Sequence, residues 1–406
     1  MDQFRVIQVI TSTAQRYGGP QRVIRDICEG LVDHGHQVSL VTTDLDGPNR
    51  LRESAVRQAF GPDVDTSVSR TICPRSYGFA PSLVSELRGR IPGADLVHVH
   101  GIYQFHTAAA CLLAHRHSIP YVVQIHGALT PYHRSKKRWK KRPYEVLIER
   151  RSLKRAGAII VMTQAEKESF AAWLPSAHTV VVPPAIDSSL FRQSDVRTGV
   201  LDTLPAGLGR RTLITFLGRL TEKKGLDVLL DAFHRLSGSH PDVQLVVAGP
   251  DDEGIGDGLT REAARLGIAD RVSLTGLVTG DAKRELLSAS RVVALPSEDE
   301  SFGVAIAEAL AVGTPVVVTR EVALADDILR EGAGEVVPRD GAAFATAMAR
   351  LLADDTAWSE IGARGRRFAE QSFSGEAVMT RLEDVYRDVC DKGNRCRLSQ
   401  GTSPAA

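Results

Sequence analysis

The chain has 406 residues, more than one hydrophobic core usually serves, so two domains of similar size are expected. An apolar share of 43% and a charged share of 24% are those of a globular protein and exclude a disordered or fibrous chain. With 50 Lys and Arg against 49 Asp and Glu, the net charge of +1 excludes a partner selected by bulk charge, so only local clusters inform on partners.

Met1-Asp-Gln-Phe-Arg5 lacks a basic region leading into a long apolar run, so no export signal is expected. No stretch reaches the roughly 20 apolar residues a membrane span needs, which leaves peripheral contact as the only expected membrane role. The five cysteines, at 28, 73, 111, 390 and 396, are odd in number and lack close ligand spacing. Neither a disulfide framework nor a zinc site is expected, and a cytoplasmic compartment fits.

In chain order, strand-like apolar runs occur at Val6 to Ile10, Val38 to Thr42, Leu96 to His100, Tyr121 to Ile125, Ala158 to Met162 and Val180 to Val182. Helical patterns separate them; Gln21 to His34 places Ile24, Ile27, Cys28 and Leu31 on one face, with Gly35 as a stop. Such alternation predicts a parallel sheet covered on both faces. The pattern restarts at Leu213 to Leu217, Gln244 to Ala248, Val272 to Leu274, Arg291 to Leu295 and Pro315 to Val318, with Leu226 to Leu236 the clearest helix. The expected division is therefore residues 1–183, a linker at 184–211 rich in Pro, Gly, Ser and Asp, and residues 212–373. A C-terminal helix over about 374–391 has the option of packing back on the first domain, and 397–406 reads as a frayed tail. Ligands of open parallel sheets bind beyond the carboxyl ends of the strands, so the expected cleft lies between the two sets of loops.

Several stretches carry chemistry. From Gly303 to Val312 every residue but Glu308 is apolar or glycine, which predicts a buried helix holding one carboxylate. A buried carboxylate is costly without a partner, and paired hydroxyls such as those of a ribose supply one. Glu300 stands eight positions earlier, in an acidic run that also reads as solvated surface. Arg219 and Lys224, after the strand ending at Leu217 and before a helix start, suit a diphosphate, although a solvated basic loop has the same look. Tyr17-Gly18-Gly19-Pro20 follows the first strand and permits close backbone approach to a ligand. Neither half carries Gly-x-Gly-x-x-Gly after its first strand, which argues against nicotinamide or flavin chemistry. His126-Gly127 closes the Tyr121 to Ile125 strand, putting an imidazole at the sheet's carboxyl edge, where a structural histidine is the alternative. Asp44-Leu-Asp46 and Asp63-Val-Asp65 match a manganese-binding pattern that also arises by chance. Arg219 and Lys224 already offer the charge a metal would supply, so no metal is expected. Arg134, Lys136, Lys137, Arg138, Lys140, Lys141 and Arg142 surround Trp139 with no acid among them, which suits anionic headgroups or a lipid diphosphate as well as a solvated helix face. Nothing else supports nucleic acid as a partner.

Taken in order, Gly18-Gly19, His126-Gly127, Gly218-Arg219 with Lys224-Gly225, and Glu300-Ser-Phe-Gly303 with Glu308 resemble the retaining nucleotide-sugar glycosyltransferases of GT-B family 4, the glycosyl transferases group 1. The resemblance implies an α/β GT-B fold, two Rossmann-like parallel-sheet domains facing across a cleft. It implies that Arg219 and Lys224 hold the donor diphosphate, Glu308 the ribose, and Glu300 with the Ser301, Phe302 and Gly303 backbone the transferred sugar. Gly18 and Gly19 border the donor, and His126 faces the sugar from the other domain. Val182-Pro-Pro-Ala-Ile-Asp187 stands where relatives often carry Val-Pro-Asn-Gly-x-Asp, and the resemblance is weakest there. The implied reaction moves a hexosyl unit from a nucleoside diphosphate sugar, as co-substrate and without a cofactor, to a hydroxyl acceptor with retention. The expected acceptor is a lipid-linked saccharide of bacterial surface polysaccharide or glycolipid synthesis, reached from the inner face of the membrane. The alternatives are a nucleotide-sugar epimerase or hydrolase on the same scaffold, and a non-catalytic membrane-surface binding protein.

Overall fold

A computed structural model describes residues 3–14, 16, 19–127, 144–192 and 211–401. The chain divides into two compact units, Met1–Ala185 with Gly375–Ala406, and Ile186–Ser374.

The first unit is built on seven parallel strands: β1 (Arg5–Ile10), β2 (Gln37–Thr43), β3 (Val64–Ser69), β4 (Leu96–His100), β5 (Tyr121–Gln124), β6 (Ala158–Val161) and β7 (Thr179–Val181). Their order is β3-β2-β1-β4-β5-β6-β7, so the first strand is central and the winding reverses between β1 and β4. Side chains alternate across the sheet. Ile7, Val9, Val97, Val99 and Val123 enter one core, with Leu83, Leu87 and Cys111 from the helices above it. Val6, Ile10, Leu96, Val122 and Ile160 enter the other, against α1 (Gly19–Asp33) and the long C-terminal helix Gly375–Gly401, which contributes Leu382 and Tyr386. Each large side chain buried this way contributes roughly 1.5–3 kcal/mol.

The second unit repeats the design with six parallel strands: β8 (Thr212–Leu217), β9 (Val243–Ala248), β10 (Val272–Gly276), β11 (Ser290–Leu295), β12 (Val316–Thr319) and β13 (Gly334–Val337). The order β10-β9-β8-β11-β12-β13 again places the first strand centrally, with the reversal between β8 and β11. Carboxyl ends of strands at such a reversal leave a crevice between diverging loops.

Four elements differ from the sequence expectation. Edge strands β3 and β13 are additional: Val64-Asp-Thr-Ser-Val-Ser and Gly334-Glu-Val-Val are half polar or short, because an edge strand needs no continuous apolar run. The region read as linker begins with a 3-10 turn, Ser188–Phe191, whose Leu190 is buried. The C-terminal helix runs to Gly401, through the start of the segment read as frayed. No helix among the described residues is long and apolar enough to cross a membrane.

Candidate active site

In the second unit both loops at the reversal carry the expected residues. The loop after β8 holds Arg219 and Lys224 and closes at Gly225 (φ 68°), the N-cap of the helix Leu226–Ser237. A Cβ at Gly225 would stand 2.1 Å from the Pro296 carbonyl oxygen, so only glycine lets this loop press against the one after β11. The Glu298 amide donates to the Lys223 carbonyl (2.8 Å), tying the two loops together. Glu300 is held by its backbone, accepting from the Ala323 amide (3.0 Å) and donating to the Glu321 carbonyl (3.1 Å). Its carboxylate takes a close hydrogen bond from the Lys224 ammonium, with both side chains largely buried. Arg219 is exposed and donates to Asp252 (3.2 Å).

Glu308 lies on the helix Val304–Val312, capped by Gly303, and is 3% exposed. The helix starts at Val304, so the four helical steps to Glu308 rise about 6 Å and the steps from Glu300 are non-helical. On sequence this carboxylate stands alone in an apolar segment. In the structure the Lys283 ammonium, from the helix Gly280–Ala289, donates to it at 2.5 Å. Lys283 could not be picked from sequence: it is 25 positions away on another helix, and only the packing of the two helices selects it. The general signal was available, since a buried carboxylate requires a cation or several donors.

The first unit presents a different chemistry at its reversal. In β4, His98 and His100 point to the face covered by the C-terminal helix, in register with Gln8 and Ile10 of β1. Gln8 donates to the Tyr386 hydroxyl (3.2 Å), which lies 2.7 Å from His98 Nδ1 and donates to it. His100 Nε2 donates to Gln8 Oε1 (2.7 Å), leaving His100 Nδ1 to accept from His126 Nε2 at 3.0 Å. The network thus assigns His126 its proton on Nε2 and leaves Nδ1 as an acceptor. Burial pushes His98 and His126 down to about 3 and His106 to about 4, and drives His100 well below the usual histidine range. The cluster is therefore uncharged at neutral pH. His126 has φ 50°, and the turn it forms is held by Glu166, whose carboxylate accepts from the Gly127 amide (2.8 Å) and the Met162 amide (2.7 Å). Gln8, Glu166 and Tyr386 were not read from sequence, because none stands next to His126 in the chain.

The remaining candidate residues divide. Gly19 opens α1; Gly18 lies outside the described residues, as does the whole cationic stretch Arg134, Lys136, Lys137, Arg138, Trp139, Lys140, Lys141 and Arg142. Ser301 and Phe302 precede the Gly303 cap, and Phe302 is buried against Phe373. Asp44 accepts from the Thr71 amide (2.8 Å) and hydroxyl (2.6 Å) and pairs with Arg50; burial works to raise its pKa, but these bonds hold it below the usual range. Asp65 pairs with Arg90. Among the described residues no cluster of three His, Cys, Asp or Glu suits a metal ion.

Two family models match in tandem: a glycosyl transferase 4-like domain over residues 18–185 and glycosyl transferases group 1 over residues 207–368. An uncharacterized glycosyltransferase of Methanocaldococcus jannaschii is 27% identical over 397 residues, covering 91% of this chain and 94% of that protein. A D-inositol 3-phosphate glycosyltransferase of Xylanimonas cellulosilytica is 31% identical over 315 residues, covering 72% and 71%. HepE of Anabaena, solved with UDP and glucose, superposes with a TM-score of 0.72 at 20% identity, over 95% of this chain and all of that one. The two parallel-sheet units thus form a GT-B fold. The chain belongs to the group 1 glycosyltransferases.

Proposed function

We propose that the protein transfers a glycosyl unit, with retention at the anomeric carbon and without a metal, from a nucleoside diphosphate sugar to a hydroxyl acceptor. The observation that carries this is the pairing of Lys224 with Glu300 and of Lys283 with buried Glu308 around the crevice between β8 and β11. In this reading Arg219 and Lys224 stabilise the charge that develops on the departing diphosphate, which is where electrostatic catalysis acts most strongly. Each cation is held by a carboxylate before the donor arrives, Arg219 by Asp252 and Lys224 by Glu300, and exchanges it for phosphate oxygens on binding. Glu308 accepts from the ribose hydroxyls while Lys283 balances its buried charge. Glu300 and the Ser301 to Gly303 backbone hold the sugar, and in the first unit His126 offers an uncharged acceptor at Nδ1 for a substrate hydroxyl. No side chain is assigned as nucleophile; the departing phosphate helps take the acceptor proton on the same face of the sugar.

The acceptor we infer first is a lipid-linked saccharide. A second reading, a phosphorylated cyclitol, is favoured by the Xylanimonas relative named for inositol 3-phosphate. The test is a transfer assay with UDP-, GDP- and ADP-sugars, each acceptor class in turn, with and without EDTA, and the anomeric product read by NMR. Inverted product, or turnover abolished by EDTA and restored by manganese, contradicts the mechanism. Free sugar or an epimer formed without acceptor contradicts transfer itself.

A further inference from the structure

The outer side of the helix Phe105–Arg116 is apolar where a surface helix is normally polar. Phe105, Ala108, Ala109 and Leu112 form its outward row, and Leu112 is 62% exposed. This row is the floor of a cavity of about 690 Å³ in the first unit. The helix Pro81–Arg90 walls it with Val84, and the segment Glu145–Arg155 walls it with Ile148, itself partly exposed. The volume is within the range of pockets that enclose small ligands.

The cavity is polarised along its length. Tyr77 and Phe105 line it where the helix begins. Ten residues on, a rise of about 15 Å, His115 lies in the last turn, and Arg88, Arg151 and Arg155 line the same cavity. Among the described residues no carboxylate pairs with Arg88, Arg151 or Arg155. After desolvation, the charges of Arg155 and then Arg151 push His115 below the usual histidine range, which sets these groups together at one end of the cavity. Arg88 and Arg155 stand in the last turns of their helices, where carbonyl dipoles favour positive charge, which explains their tolerance but not the apolar trough they border.

We propose that this trough is a binding site for a lipid phosphate, with the hydrocarbon chain along Phe105–Leu112 and the phosphate at Arg88, Arg151 and Arg155. A chain without a charged head would leave the cations unanswered, and an inorganic anion would leave the exposed apolar row uncovered. The site lies on the opposite side of the sheet from the His98–His100–Tyr386 network, because Cys111 and Leu113 belong to the other core. It is independent of the transferase reading.

The test is calorimetric titration of the full chain with dodecyl phosphate below its micelle concentration, beside dodecyl maltoside and inorganic phosphate. UDP binding is measured on the same samples to monitor the transferase reading separately. Saturable 1:1 binding of dodecyl phosphate is expected, at least tenfold tighter than either control. Ala109→Trp, which fills the trough, and the surface double variant Arg151→Ser with Arg155→Ser should each weaken it at least tenfold. Comparable affinity for the maltoside overturns the phosphate end of the proposal, and comparable affinity for inorganic phosphate overturns the chain end. Unchanged dodecyl phosphate binding in the arginine double variant overturns the whole, even if Ala109→Trp does not fold.

Discussion

The two units share one topology and treat charge in opposite ways. Each has its first strand at the centre and reverses its winding beside it, so each offers a crevice at the carboxyl edge. Around the crevice of the second unit, carboxylates remain and are matched by lysines: Glu300 with Lys224, Glu308 with Lys283. At the first unit's reversal, burial strips charge away, leaving His98, His100 and His126 neutral, and further along the same unit buried Glu149 is pushed up to about 7. A site that stabilises a departing diphosphate needs fixed cations, and these need acids to keep them ordered beforehand. A site that orders neutral hydroxyls needs donors and acceptors of defined tautomer. The fold supplies the place; the side chains choose between these two chemistries.

The largest expected effect comes from breaking the charge pairing. Glu308→Ala should lower turnover by about 10² or more, the scale of losing one preorganised electrostatic contact. It should also destabilise the fold by up to roughly 3 kcal/mol, because Lys283, largely buried, is left without its partner. The double change Glu308→Leu with Lys283→Met separates these effects in urea melts and assays: stability should recover and activity should not. Recovery of both would reduce the pair to a structural role.

The next prediction splits the units. Lys224→Ala should weaken UDP affinity at least tenfold, whereas His126→Ala should lower transfer about as much as other lost hydrogen-bond contacts while leaving UDP affinity unchanged. Calorimetry beside initial rates checks this. A loss of UDP affinity in the His126 variant would erase the distinction between the two sites.

Glu149 tests whether burial suppresses charge in the first unit beyond the histidine network. Among the described residues neither of its carboxylate oxygens has a side-chain partner, and burial outweighs the Tyr103 backbone in raising it from 4.5 to about 7. Because the folded state holds this proton more tightly than the unfolded chain, stability is present below pH 4.5 and lost as pH rises through about 7. The shift corresponds to roughly 3 kcal/mol as an upper value. Glu149→Gln should therefore gain stability over the native chain at pH 8, up to that amount, and show little difference near pH 4.5. Equal pH profiles in thermal melts would contradict it. The histidines have the opposite sign: with folded values depressed, their contribution is present above about pH 6.5 and falls away toward pH 3.

The smallest effect is Tyr386→Phe. It removes the hydroxyl shared by Gln8 and His98, at a cost of about 1 kcal/mol, and frees the tautomer of His98. Nitrogen chemical shifts of the histidine rings report the second change directly.

The sequence was informative where chemistry and periodicity coincide. Central strands such as Leu96 to His100 are continuous apolar runs interrupted only by the residues that do something, and Glu308 stood out because its helix has no other polar group. The short edge strands β3 and β13 were hidden because one covered flank leaves them free to be polar. Lys283, Glu166 and Tyr386 were hidden for another reason. Each meets its target through tertiary packing across 25, 39 and 260 or more positions, and nothing local marks the partner. A buried charge announces the need for a counterpart; the fold alone supplies its identity.

The most direct test of the central claim is a comparison of UDP with 2′,3′-dideoxy-UDP, titrated into the native chain and into Glu308→Gln. If Glu308 holds the ribose, the native protein prefers UDP at least tenfold and the variant loses that preference. An equal preference in both would contradict the assignment.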